Sequence, residues 1–292
     1  MFKPTLFVCL LVLLSCVSAT DVDESAASVA ISGNYYFFRS SGIVCVKDPC
    51  PSWLASDING ETQNITVHYL SFAPNLNQTV IFEAANEEVI VYGYLIVYYD
   101  RGTPIRRLNV RHAFRQLPLS PEDQETKSGQ FYFVDYSGIA CITTPCPSWK
   151  ATALNGGDQY IADNYIEPYS NYAYFDSNWL SKKVLDTAIP YKAIVQANIF
   201  ESTIIGKAIY VNILDPIEKC PPVPIVDCIR GLVPVYTRDS NRCKKFTACI
   251  KPGACTREFP TCDVEGYSLV TFPSKPNACT KAFCDASFLS QQ

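Results

Sequence analysis

SGNYYFFRSSGIVCVKDPCPSWLASDING, residues 32–60, returns 96 positions later as SGQFYFVDYSGIACITTPCPSWKATALNG, residues 128–156, with 16 identities in 29 positions. The matched pairs include Gly33/Gly129, Tyr36/Tyr132, Gly42/Gly138, Cys45/Cys141, Cys50/Cys146, Trp53/Trp149 and Asn59/Asn155. Self-similarity over this length marks a duplicated module. Residues 32–118 and 129–218 are the two modules. Between them residues 119–128, with Pro121, Glu122, Asp123 and Glu125, read as a solvated linker. Residues 219–292 form a cysteine-rich tail.

The modules read as all-β. Residues 64–72 begin with Ile65, Val67 and Tyr69 on one face and Asn64, Thr66 and His68 on the other. Strands are expected at 79–83, 89–100, 105–115, 193–201 and 206–215, and a short helix within 178–187. Both modules are expected to close with a strand, a turn carrying Gly102 or Gly206, and another strand. At about 90 residues, each is large enough for a small antiparallel barrel or sandwich.

Residues 1–19 carry Lys3, an apolar run and Val17-Ser18-Ala19, the pattern of a secretory signal cleaved after Ala19. The run is too short to span a bilayer. Residues 20–31 are a polar, acidic lead-in. An exported chain meets an oxidising medium. Removing Cys9 and Cys16 with the leader leaves twelve of the 14 cysteines, an even number. They read as a disulfide framework, with no metal site and no cofactor implied. Each module carries its own pair around a proline turn, which predicts Cys45–Cys50 and Cys141–Cys146. In the tail, Cys220, Cys228, Cys243 and Cys249 match Cys255, Cys262, Cys279 and Cys284 in spacing. Two closed units, 220–249 and 255–284, follow, with first paired to third and second to fourth. Units this small bury little core, so bridges worth about 3 kcal/mol each in the chain-entropy picture must replace it. Asn64 and Asn77 stand in glycosylation sequons.

The SGI-x-C…CPSW…NG pattern is followed by Val91-Tyr92-Gly93-Tyr94-Leu95 and by a strand ending Ala113-Phe114-Arg115. Together they resemble a domain of unknown function in secreted microbial proteins, social amoebae among them. The resemblance implies fold and compartment only. The second module departs from it, with Ala197 at the place of Gly93 and residues 212–215 at the place of the Ala-Phe-Arg element. The tail is similar to small reactive-loop inhibitors and growth-factor-type cysteine modules.

Catalytic patterns are sparse. The two histidines, His68 and His112, both fall in the first module. The second shares the repeated pattern without any, so a histidine mechanism built on that pattern fails in half the molecule. No G-x-S-x-G elbow, H-E-x-x-H or phosphate loop occurs. Asp158, Asp163, Glu167 and Asp176 form an acidic stretch that a carboxylate hydrolase would use and that otherwise reads as a solvated loop.

Tyr165, Tyr169, Tyr172 and Trp179 crowd one segment and are candidates for recognising sugar or protein. Arg107, Arg111 and Arg115 are expected on one face of a predicted strand and are candidates for an anionic partner. Charge is uneven: residues 1–218 hold 14 Lys and Arg against 22 Asp and Glu, residues 219–292 hold 10 against 6. Export and the formal net charge of −4 argue against nucleic acid. Three readings follow. The first is a secreted, non-catalytic binding or matrix protein whose partner is an extracellular protein or glycan. The second is a protease inhibitor acting through tail loops 237–242 or 274–277. The third is a carboxylate hydrolase.

Overall fold

In the computed structural model, residues 29–30, 33–84, 87–188, 192–213, 220–256 and 259–290 are described. The expected signal lies outside them. The first copy consists of β1 (Val29–Ala30), β2 (Asn34–Ser40), β3 (Trp53–Asp57), β4 (Ile65–Val67), β5 (Tyr69–Phe72), α1 (Gln78–Phe82), β6 (Val89–Asp100) and β7 (Thr103–Gln116). After α2 (Pro121–Thr126) the second copy repeats the series. It runs β8 (Gln130–Tyr136), β9 (Trp149–Ala153), β10 (Gln159–Ala162), β11 (Asn164–Ile166), α3 (Ser177–Val184), β12 (Ile194–Phe200) and β13 (Thr203–Asn212). The tail adds β14 (Val233–Arg238), β15 (Lys244–Ile250), β16 (Tyr267–Ser274), β17 (Cys279–Ala286) and α4 (Ser287–Ser290).

The all-β reading holds, but the two copies are not separate modules. Their 13 strands form one sheet in the order β10-β9-β8-β12-β13-β7-β6-β2-β3-β4. The order is the same from either end, copy for copy. The halves join where β7 pairs antiparallel with β13, Tyr210 opposite Gln116. β5 and β11 add parallel ladders to the starts of β7 and β13. A bulge falls at the same place in each copy, leaving Arg111 and Lys207 as the extra residues.

Shared burial explains the fusion. Within each copy, one sheet face is covered by the copy's own helix. Tyr36, Val67 and Leu108 share a core with Val80 and Ile81 of α1, and Tyr132 and Val195 join it with Leu180 and Val184 of α3. The alternate residues Tyr35, Ile58, Ile90 and Phe114 have no such cover within their own copy. They meet the corresponding residues of the other, Phe131, Leu154, Ile194 and Tyr210, in a second core. An apolar face has to be buried against some other layer, and here that layer is the duplicate.

Side chains bind the halves reciprocally. Asn59 accepts from the Phe131 N–H (2.9 Å) and donates to the Phe131 carbonyl (2.6 Å). Asn155 accepts from the Tyr35 N–H (2.8 Å) and donates to the Tyr35 carbonyl (2.8 Å). Both asparagines have positive φ, 57° and 60°, a conformation that asparagine tolerates better than most residues.

Local corrections follow from hydrogen bonding. The expected linker is tied down. Ser120 caps α2 and its N–H donates to the Tyr172 hydroxyl, which in turn donates to Asp123 (2.7 Å). The strand expected over 79–83 is instead the helix Gln78–Phe82, because Asn77 accepts from the Val80 N–H and caps α1. The strand expected over 64–72 breaks at His68, whose Nδ1 accepts from the Arg106 N–H (3.1 Å). In the second copy Glu201 and Ser202 make the turn matching Arg101-Gly102, and Gly206 lies inside β13, where a Cβ would fall 2.8 Å from the Ile166 carbonyl oxygen. Register therefore matches Ala113-Phe114-Arg115 with Ile209-Tyr210-Val211, not with residues 212–215.

Cysteines pair as 45–50, 141–146, 220–243, 228–249, 255–279 and 262–284. Each tail unit is an antiparallel hairpin, β14–β15 and β16–β17. The tail folds back on the body. Ala286, Phe288 and Leu289 enter the main core. The Cys284 N–H donates to the Tyr174 carbonyl (2.8 Å), and the Tyr267 hydroxyl to the Pro118 carbonyl (2.9 Å).

Candidate functional site

The tyrosine cluster is packing, not surface. Tyr169 is wholly buried, stacks on Phe175 and donates to the Leu117 carbonyl (3.0 Å). Tyr172 holds α2. Tyr165 lies against Trp149 (5.2 Å between ring centres), and Trp179 is buried beneath the Arg242 guanidinium. Tyr172, Phe175 and Trp179 lie at the seam with the tail, against Tyr267 and Arg242, while Tyr165 packs within the second copy. The three arginines do not share a face either, because the bulge at Arg111 reverses the alternation. Arg107 lies over Tyr69. Arg115 turns inward, donating to the Val80 carbonyl (3.1 Å) beneath the Phe288 ring.

Acids and histidines are likewise dispersed. Among the described residues no three His, Cys, Asp or Glu side chains converge as metal ligands. Asp176 caps α3 and faces Arg238 (3.6 Å). Glu167 is pushed up to about 7 by burial, against the pull of a Ser177 hydrogen bond. Its Oε1 and the nearby Tyr165 hydroxyl are buried without partners among the described residues. Burial, aided by Arg106, lowers the His68 pKa. Burial, aided by Arg111, lowers that of His112, which stacks on Tyr92.

Tail basic residues form a buried junction. Arg238 pairs with both Asp285 and Asp176, and Arg242 pairs with Asp285 (3.6 Å); the Arg238 side chain is only 5% exposed. Arg238 and Arg242 are thus committed to this junction, while Ser240 and Asn241 at the tip of loop 237–242 are exposed.

What the duplication presents outward is a pair of loops. After β2 and β8 the chain turns at Gly42 and Gly138, with φ of 73° and 77°. Ser41 then closes the loop base. Its hydroxyl donates to the Pro51 carbonyl (2.6 Å) and accepts from the Ile43 N–H (3.1 Å), while its N–H donates to the Ser52 carbonyl (2.9 Å). Ser137 makes the same three contacts with Pro147, Ile139 and Ser148. Cys45–Cys50 and Cys141–Cys146 close the rings. The repeated serines, prolines and cysteines thus build the base. Trp53 and Trp149 pack beside it on aromatic rings, Trp53 on Phe38 and Phe82, Trp149 on Tyr136 and Tyr165.

The tips are aliphatic and bare. Val44, Val46 and Ile142 are fully exposed, and Ile43 and Ile139 about half exposed. Single exposed apolar residues are ordinary; several on a bridged, hydrogen-bonded loop, matched across a duplication, form a preorganised contact surface. Followed through the ladder, β2 and β8 run antiparallel to one another, so the loops leave opposite ends of the sheet. The sequence search missed these tips because exposure, not residue type, marks them.

Of the sequons, Asn64 is exposed and accepts from Arg39 (2.9 Å), and Asn77 caps α1 through its Oδ1. No helix among the described residues is long and apolar enough to cross a membrane.

Residues 62–164 match the domain of unknown function DUF6748. That span starts in the first copy and ends in the second. No solved structure matches the chain. An uncharacterized protein of Dictyostelium discoideum is 30% identical over 269 residues, covering 91% of this chain and 92% of the relative. With DUF6748 at its centre and the likeness running nearly end to end, the chain belongs to one family with this amoebal protein.

Proposed function

We propose that this is a secreted, non-catalytic extracellular binding protein that bridges two partners through its paired loops. The observation that carries the reading is the matched exposure of Val44 and Val46 in one loop and Ile142 in the other, each on a bridged base. A ring already fixed by a disulfide gives up little conformational entropy on binding. Two such rings at opposite ends suit bridging of separate partners, where avidity multiplies a modest single-site affinity. Six disulfides support an oxidising destination. Both histidines are engaged in strand packing, which supports a binding role over a histidine mechanism.

Val46→Asp and Ile142→Asp test it. The full chain, its single variants and the double variant would be titrated onto surface-exposed material from the cells that make it. Each single change is expected to weaken binding at least tenfold and the double change to abolish it, with circular dichroism unaltered. Wild-type binding by the double variant refutes the reading.

A further inference from the structure

We propose that the cleft between α3 and the two tail hairpins binds a linear anionic saccharide. The cleft has a volume of about 920 Å³ and is lined by Lys182 from α3, Tyr236 and Arg238 from β14, and Lys275, Lys281 and Phe283 from the second hairpin. Its size falls within the range of about 300–1,000 Å³ usual for small-molecule sites.

Its charge is unbalanced in one direction. The acids in the lining are already engaged, Asp176 by Arg238 and Asp239 by Lys245 (2.9 Å). Lys182, Lys275 and Lys281 are exposed and belong to no ion pair among the described residues. Three uncompensated cations around one cleft attract an anion.

The cations come from separate elements instead of converging on one point. Lys275 lies in the turn and Lys281 two residues into β17, on the order of 7–10 Å along the hairpin at about 3.3 Å per residue. That spread suits charges repeated along a chain better than a lone phosphate. Ser181, Ser274 and Thr247 also line the cleft. Tyr236 and Phe283 add aromatic edges to the lining, with Arg238 (4.6 Å) and Lys281 (5.1 Å) over the Phe283 ring and Lys244 (4.0 Å) over that of Tyr236. Hydroxyl partners, aromatic edges and dispersed cations are the complement of a sugar that carries sulfate or carboxylate groups.

The test uses the full, disulfide-intact chain and calorimetric titration at low salt. The probes are a heparin hexasaccharide, hexagalacturonate, neutral cellohexaose and sodium sulfate. One or both anionic hexasaccharides are expected to bind at micromolar concentration, distinguishing sulfate from carboxylate preference. Lys275→Ala with Lys281→Ala is expected to weaken that binding at least tenfold. Lys251→Ala, an exposed charge outside the cleft, should leave it within twofold. The proposal is overturned if neither anionic chain binds, if cellohexaose or free sulfate binds as tightly, or if the Lys251 variant weakens binding as much as the double variant. The loop variants Val46→Asp and Ile142→Asp should not alter the titration, so the two sites can fail separately.

Discussion

Asn59 and Asn155 sit in turn sequences that read as simple Asn-Gly corners, yet each side chain completes the backbone of the opposite copy. Asn59→Gly keeps the backbone conformation and deletes the side chain's hydrogen bonds to Phe131 and to the Leu154 carbonyl (3.3 Å). It leaves the Phe131 N–H unmatched, while the Phe131 carbonyl keeps the Leu154 N–H (2.9 Å), and is expected to cost about 1–3 kcal/mol. Urea unfolding measures it; a loss under 1 kcal/mol would mean water replaces the contact freely.

Glu167 carries a second residue-scale consequence. Burial raises its pKa from 4.5 to about 7. Below that interval both folded and unfolded chains hold the proton. As pH rises through it, the unfolded chain releases its proton first, so stability falls by about 1–2 kcal/mol once solvent screening is allowed for. Glu167→Gln is expected to remove this pH 4.5–7 slope in melts, leaving the variant the more stable form at pH 7.5. An unchanged slope would place the titration elsewhere.

At the scale of elements, long periodic strands were legible. β6 occupies the residues read for it, and β7 and β12 differ from expectation by one or two residues at their ends. Short segments were not. The pair Val80-Ile81 fits helix or strand equally, and the cap at Asn77 decides. The six bridges join cysteines that the spacing pairs, because a short unit leaves few geometries for closure. Placement of the tail was invisible, since spacing says nothing about what a hairpin lies on.

The tail pairing predicts an outcome for cutting after Lys251. No bridge crosses that bond, and each fragment keeps its own disulfides. The pieces should nevertheless co-elute in buffer, held by the core contacts of Phe288 and Leu289 and by the junction of Arg238 with Asp285. They should part in urea without reductant. Fragments that need reductant to separate would refute the two-unit pairing.

Across the whole molecule, the duplication was plain in sequence and its meaning was not. Two copies of a pattern look the same whether they fold apart or together. The distinction lies in the face that carries Tyr35, Phe114, Phe131 and Tyr210, and alternation alone does not say what covers it. The candidate site was half legible: the bridges were foreseen, while the exposed tips were passed over for tyrosines that prove to be core. Because the copies share one sheet and one inner core, Asn59→Gly should shift a single transition of both, not the melting of one half.

The reciprocal asparagines have the symmetry of a subunit interface. Residue 59 grips residue 131, residue 155 grips residue 35, and each pair is the other displaced by 96 positions. Contacts in which i meets j and j meets i are the mark of an isologous interface between identical subunits. Within one chain the copies thus meet as the two subunits of an isologous homodimer would, with α2 as the connection between them. The pseudo-symmetry ends at the tail, where the second copy places α3 against Arg242 through Trp179.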